Sequence, residues 1–328
     1  MSATRGEVVT EDPTPEQSLL VDRRNIGDPV FKGISVGSGM LILAILAAVA
    51  AFLIIQAVPA FLTDAADLKY GNTWGYVAPF LFGTIWSSFL ALLMAVPVAV
   101  GIALYISHFA PKQLAAPVAF IVDLLAAVPS VVFGLWGINV LAPALVPIYQ
   151  WLGANLGWIP LFGGKVSGTG RTMLTAAIVL AIMILPIITS LTREVFLRTP
   201  GLQEEASFAL GATRWEMIGQ VVFPFGRSGV VSASMLGLGR ALGETMAVAM
   251  VLSGGRNITF QLLTSNNPNT IASNIALAFP EADSHAVPQL IATGLVLFVI
   301  TFVVNMVGRA ITSGRGIRWP FKRAGKED

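Results

Sequence analysis

Residues 193–228, REVFLRTPGLQEEASFALGATRWEMIGQVVFPFGRS, interrupt an otherwise apolar half of the chain. From Leu202 to Leu210 the run is built of good helix formers, has Glu204 and Glu205 in its opening turn and stops at Gly211, the marks of a short helix with defined ends. Ala206, Ala209 and Leu210 fall on one stripe of that helix and Phe208 projects elsewhere. Small residues on one side let the helix lie close in another protein's groove; the alternative is a surface helix covering the ends of a bundle, and the residues alone leave both open. The flanks say what kind of bundle it is. Apolar runs near 173–192 and 229–252 are each about 20 residues or longer, enough to cross a hydrocarbon core.

Further runs of that kind lie near 37–61, 77–107, 115–138 and 289–311, giving six spans. The expected fold is an all-α polytopic membrane protein. Composition agrees: 55% of the 328 residues are hydrophobic and 12% charged, with a mean hydropathy of +0.76, against about 25% charged in soluble domains. The lipid bilayer is the chain's main solvent. A net charge of +2 gives no basis for nucleic-acid binding, and the absence of cysteine excludes disulfides, thiolate metal sites and cysteine nucleophiles.

An even number of spans puts both termini on one side, and basic residues identify it. Arg5, Arg23, Arg24 and Lys32 precede the first span, Lys112 follows the second, Arg193, Arg198, Arg214 and Arg227 lie in the quoted loop, and six close the chain from Arg309 onward. The opposite loops hold Lys69, Lys165, Arg171 and Arg256. The positive-inside rule therefore predicts cytoplasmic termini and a cytoplasmic loop 193–228. Residues 1–36 read as a polar tail, 37–311 as the membrane domain and 312–328 as a basic tail. A cleaved signal peptide does not fit, because its apolar region would be shorter and nearer Met1.

Proline punctuates three spans. Pro97 predicts a bend in the long second span and Pro186 a kink in the fourth. Pro129-Ser130 breaks the third, and such breaks survive in lipid only where protein or a water-filled cavity satisfies the freed backbone groups. The outer segment 139–172, with Trp151 and Trp158, reads as interfacial or re-entrant. Glu281, Asp283 and His285 in the outer loop 253–288 suggest a solvated loop rather than a metal site, and His108 marks a membrane end.

The quoted loop also resembles the permease family of binding-protein-dependent ABC importers, whose pattern is Glu-Ala-Ala, three residues, Gly, nine residues, then Ile-x-Leu-Pro. Here Glu205-Ala206-Ser207, Gly211 and Val221-x-Phe223-Pro224 keep the spacing, with Ser207, Val221 and Phe223 as conservative departures. Phe82-Gly83-Thr84 with Ser87-Ser88, Val128 to Gly137 and Gly239 to Val248 are similar to the phosphate-specific, PstC-type branch. The resemblance implies the type I importer fold. It also implies ATPase coupling through Glu204, Glu205, Ala206, Ser207, Leu210, Gly211 and Ala212. Its implied partners are a homologous second permease, an ATPase homodimer at the loop and an external phosphate-binding protein. It implies no cofactor on this chain, with ATP and magnesium on the ATPase.

Arg240 and Glu244 lie inside the fifth span, where a charge near the bilayer centre costs about 2.5–3.5 kcal/mol on insertion scales. Their spacing of four puts both on one face of a continuous helix, among small residues, so the face should turn to the bundle interior or a partner. A guanidinium fork suits an oxyanion. The glutamate would accept a remaining phosphate proton or hold Arg240 when the site is empty; a structural ion pair is the alternative. Ser130 beside the proline break, and Thr84 and Ser88 on one helical face, are further pathway candidates. Asp123 is expected near the cytoplasmic end, solvated or bonded to backbone.

No Gly-x-x-x-x-Gly-Lys-Ser/Thr phosphate loop occurs in the chain, so ATP hydrolysis is expected on a partner and no enzymatic activity here. Two other functions stay open: import of another oxyanion such as sulfate or molybdate, and ion-coupled secondary transport with Arg240 and Glu244 as a proton relay.

Overall fold

The computed structural model describes residues 27–63 and 68–312. Its regular structure is helical, with an isolated bridge between Gly255 and Pro268. Among the described residues six runs are long and apolar enough to cross a membrane: Pro29–Leu62, Thr73–Phe109, Ser130–Leu156, Met173–Leu197, Arg214–Leu242 and Val287–Thr312.

The chain divides into two compact units, residues 1–52 and 53–328. The first contains most of α1 (Gly27–Leu62), whose Phe31, Met40 and Leu43 are exposed. Exposed apolar side chains of this kind suit lipid as solvent. The tail expected over 1–36 lies outside the described residues as far as 26, and residues 27–36 already belong to α1. Residues 313–328 of the expected basic tail also lie outside them.

In the second unit, α2 (Thr73–Leu104) and α6 (Met173–Leu197) form the centre. Ala91, Ala95 and Ala99 recur every fourth residue on α2 and meet Ala176, Leu180 and Ile184 of α6 in the main core cluster. Small side chains at this spacing let two helices approach closely, the contact that holds bundles together in lipid. Ala233 and Ala241 of α9 (Phe223–Leu242) join the same core. Around it lie α3 (Lys112–Ala126), α4 (Ser130–Trp136), α5 (Ala142–Leu156), α7 (Gly201–Ala209), α8 (Arg214–Met217), α10 (Met246–Val251), α11 (Ile271–Ala278) and α12 (Val287–Thr312). Three long runs contain one widened π turn each, at Tyr105–Phe109, Gly137–Leu141 and Ile218–Val222.

Two span boundaries differ from expectation. The apolar run 115–138 is two helices, α3 and α4, cut at Ala127–Pro129. Pro129 donates no hydrogen bond and keeps Val128 out of helical geometry. The membrane-length run instead continues from Ser130 to Leu156, so the segment from 139 is helical rather than the start of a loop. The run 229–252 is likewise two helices: α9 continues from α8 and ends at Leu242, and α10 begins at Met246. Glycines at 239 and 243 weaken the helix there, each by about 1 kcal/mol relative to alanine. Pro97 and Pro186, by contrast, sit inside unbroken helices.

Candidate functional site

The loop between α6 and α9 folds as predicted from its residues. α7 ends where Gly211 takes φ +86°, with its N–H donating to Phe208 O at 2.9 Å and the Ala212 N–H to Ser207 O at 3.2 Å. Left-handed geometry at this position is cheap for glycine and costs about 1–2 kcal/mol for other residues. Thr213 then caps α8, with Glu216 returning a bond to the Thr213 N–H at 2.7 Å.

α7 has two faces. Ser207 is buried and Glu204 half-buried, and Glu204 Oε1 lies 3.4 Å from His108 Nε2 at the end of α2. Leu202, Glu205, Ala206, Ala209 and Leu210 face outward, Leu210 being 90% exposed. A groove of about 750 Å³ runs beside them, lined by Ala206, Ser207, Leu210, Gly211 and Ala212 and by Gln220 and Pro224 opposite. An apolar helix face so exposed beside an open groove is shaped to receive another surface.

Arg240 and Glu244 do not form a pair. The helix that would align them ends at Leu242. Glu244 is buried, and its Oε1 accepts the Ala247 N–H at 3.2 Å, placing a carboxylate on the first turn of α10. Arg240 is exposed and has no ion-pair or hydrogen-bond partner among the described residues. It stands at one end of a row of exposed side chains, Ser228, Ser232, Leu236 and Arg240, recurring every fourth residue along α9. A guanidinium held without a partner on a membrane-spanning helix can donate two parallel hydrogen bonds to an oxyanion.

Thr84 and Ser88 are not on that open row. Thr84 is fully buried, donates to Phe80 O at 2.7 Å and accepts the Ile271 N–H at 2.9 Å, so it ties α11 to α2. A Cβ on neighbouring Gly83 would collide with the Asn269 carbonyl, which accounts for glycine and threonine side by side. Ser88 is buried with its hydroxyl unpartnered. Ser130 opens α4, half-buried. A Cβ on Gly134 would lie 2.9 Å from Ala247 Cα, and one on Gly137 would lie 3.0 Å from Val251 Cγ2. The helices α4 and α10 therefore run side by side in one direction.

Asp123 is exposed, and its bond is to a side chain rather than to backbone: the Ser190 hydroxyl donates to its Oδ1 at 2.7 Å. It lines a cavity of about 490 Å³ with Ser107 and Arg193. Residue-by-residue reading missed the His108–Glu204 contact and the capping role of Glu244. The first joins positions 96 apart in sequence and leaves no local pattern. The second had a signal, Gly243 before Glu244 with Thr245 after it, a stop followed by capping residues.

Residues 99–315 match the family described as binding-protein-dependent transport system inner membrane component. The chain is similar to the phosphate transport system permease protein PstC 2 of Mycobacterium tuberculosis (strain ATCC 25618 / H37Rv), at 47% identity over 94% of this chain and 99% of the relative. It is also similar to the phosphate transport system permease protein PstC of Mycobacterium leprae (strain TN), at 49% identity over 81% and 87%. In fold it resembles a bacterial alginate ABC transporter solved in complex with an alginate pentasaccharide-bound periplasmic protein, with TM-score 0.56 and 17% identity over 87% of this chain and 96% of that one.

Proposed function

Because the chain belongs to the inner membrane component family of binding-protein-dependent transport systems, and within it to the PstC-type permeases, we propose that it forms part of the membrane path of an ATP-driven importer for inorganic phosphate. It is a multi-pass protein of the bacterial inner membrane. Both termini and α7 face the cytoplasm, as the basic residues require. A homologous second permease covers the open row of α9, an external phosphate-binding protein delivers the substrate, and an ATPase homodimer receives the exposed face of α7. Hydrolysis, with ATP and magnesium, belongs to those ATPase subunits, and this chain catalyses no reaction.

The observation that carries this reading is Arg240, a guanidinium within a span and free of partners among the described residues. In water an exposed arginine is unremarkable, but in a bilayer it needs an anion or a hydrated path. Phosphate passing along the α9 row meets its fork, while Glu244, fixed on α10, offers its second oxygen to the proton that phosphate retains and sulfate lacks. ATP-driven closure pulls α7, and the His108–Glu204 contact passes the displacement to α2, so that the path opens alternately to either side. The experiment is uptake of radiolabelled phosphate, with sulfate and molybdate as competitors, in proteoliposomes containing the assembled transporter. Uptake that needs ATP and loaded binding protein, and that sulfate does not compete, supports the reading. Uptake driven by a proton gradient alone would replace it with secondary transport.

A further inference from the structure

Arg309, like Arg240, is a span arginine whose guanidinium has no protein partner among the described residues. It lies on the last turn of α12, exposed, and although its carbonyl accepts the Thr312 hydroxyl, its guanidinium has no ion pair or hydrogen bond among the described residues. Packing of Gly308 against Met235 brings it to α9, since a Cβ at 308 would fall 2.7 Å from Met235 Cε. Between the helices is a cavity of about 240 Å³ lined by Ser232, Asn305, Arg309 and Thr312 with Met235 and Gly308.

The polar groups have a definite sense. Ser232 spends its hydroxyl proton on Ser228 O at 2.9 Å, and Thr312 shares its own between Arg309 O at 3.0 Å and Gly308 O at 3.2 Å. The donors left free are the Asn305 amide and the Arg309 guanidinium, with hydroxyl lone pairs opposite. That set matches a protonated oxyanion: two donors for its oxygens and acceptors for its proton. A snorkelling arginine at a helix end needs no such company. Asn305 stands among Phe302, Val303, Met306 and Val307, all exposed and apolar, where an unmet amide is costly. The cavity volume holds a tetrahedral oxyanion and some water, each water taking about 30 Å³.

Ser232 belongs to the same open row as Arg240, two steps of four along α9, about 12 Å away on the axis. We propose that Arg309, Asn305 and Ser232 form a second phosphate station, which receives the oxyanion released by Arg240 before it leaves the membrane. The inference rests on the phosphate-import reading. Spreading one tight site into two weaker ones lets an ion enter favourably and still leave.

The test compares wild type, Arg240→Ala, Arg309→Ala, Arg309→Lys and Asn305→Ala in the complete transporter, reconstituted in phosphatidylcholine alone or with phosphatidylglycerol added. Arg309→Ala should lower maximal phosphate uptake roughly tenfold, the scale of a lost charge-assisted hydrogen bond. Half-saturation by loaded binding protein should stay unchanged, and the defect should be equal in both lipids. Lysine at 309 should recover part of the rate, and Asn305→Ala should fall between. Arg309→Ala uptake within about twofold of wild type in both lipids would overturn the station alone. So would a defect confined to phosphatidylglycerol vesicles, since Arg309 then serves a lipid headgroup. Wild type that takes up no phosphate would overturn the station together with the function beneath it.

Discussion

His108 Nε2 lies 3.4 Å from Glu204 Oε1, joining the end of α2 to the inner face of α7. The other ring nitrogen is engaged as well, 2.7 Å from the Ser107 hydroxyl, so the imidazole is held in one orientation. A short helix that must transmit force needs a stiff attachment, and this is a side-chain bond from α7 to a span. His108→Ala should therefore lower phosphate-dependent ATP hydrolysis by about 2- to 10-fold, the scale of one net hydrogen bond, without changing the amount of chain in the membrane. Rates equal to wild type would show that the contact transmits nothing.

Gly211→Val should uncouple the complex more severely. A branched side chain at φ +86° is strained, at a cost of about 1–2 kcal/mol, and the chain relaxes by re-aiming α7. Ala206→Phe should produce the same loss from an exposed position without backbone strain. ATPase stimulation by phosphate-loaded binding protein is the measurement, with membrane abundance as control.

Arg240→Ala should abolish phosphate uptake while leaving ATPase assembly intact, and lysine should restore only part, since it keeps charge and loses the fork. Because no pair joins Arg240 to Glu244, exchanging the two charges should not rescue transport. Glu244→Gln should leave the acceptor bond to Ala247 in place and weaken discrimination against sulfate, whereas Glu244→Ala should also cost about 1 kcal/mol of stability through loss of the cap. Uptake and thermal midpoints on the same preparations separate these effects.

Gly134→Val should lower the thermal midpoint, because its side chain meets Ala247 backbone and the two helices can separate only by disturbing the core. The expected penalty is about 1–3 kcal/mol. Thermal denaturation in detergent measures it.

Lys69 Nζ, 3.2 Å from Asp283 Oδ2, holds that carboxyl below the usual carboxylate range. A lowered value in the folded state means the link stabilises above the ordinary aspartate range and fades as pH falls through the lowered value. Asp283→Asn should thus reduce the thermal midpoint slightly at neutral pH, with the difference from wild type vanishing in acid. A difference constant with pH would deny the link any role.

Hydropathy made the number of spans legible, and caps made α7 legible to within a residue, because both depend on neighbours in sequence. The break at Pro129 was legible from the proline itself, whereas the one at Gly243 was not: an apolar run registers as continuous whether or not its backbone is, and a glycine break changes geometry without changing polarity. The same blindness put Arg240 and Glu244 on one face. Thr84 was legible as a helix-face hydroxyl of the second span but not as the anchor of Ile271, a bond spanning 187 positions. Arg309, counted only as a positive charge near the terminus, gains its meaning from Ser232 across the helix packing.

The widened turn at Ile218–Val222 bears on how the length of this chain can drift in descent. Such a turn is an α-helix that has absorbed one additional residue. Loss of Gly219 would let the turn close to ordinary winding with the remainder of α9 left in place and Arg240 still facing its row. Loss of any residue between Phe223 and Gly239 would swing Arg240 by about 100° relative to the preceding helix and carry it off that row. Single-residue gaps compatible with transport should therefore gather at the three widened turns and be absent from the regular helix between Phe223 and Arg240.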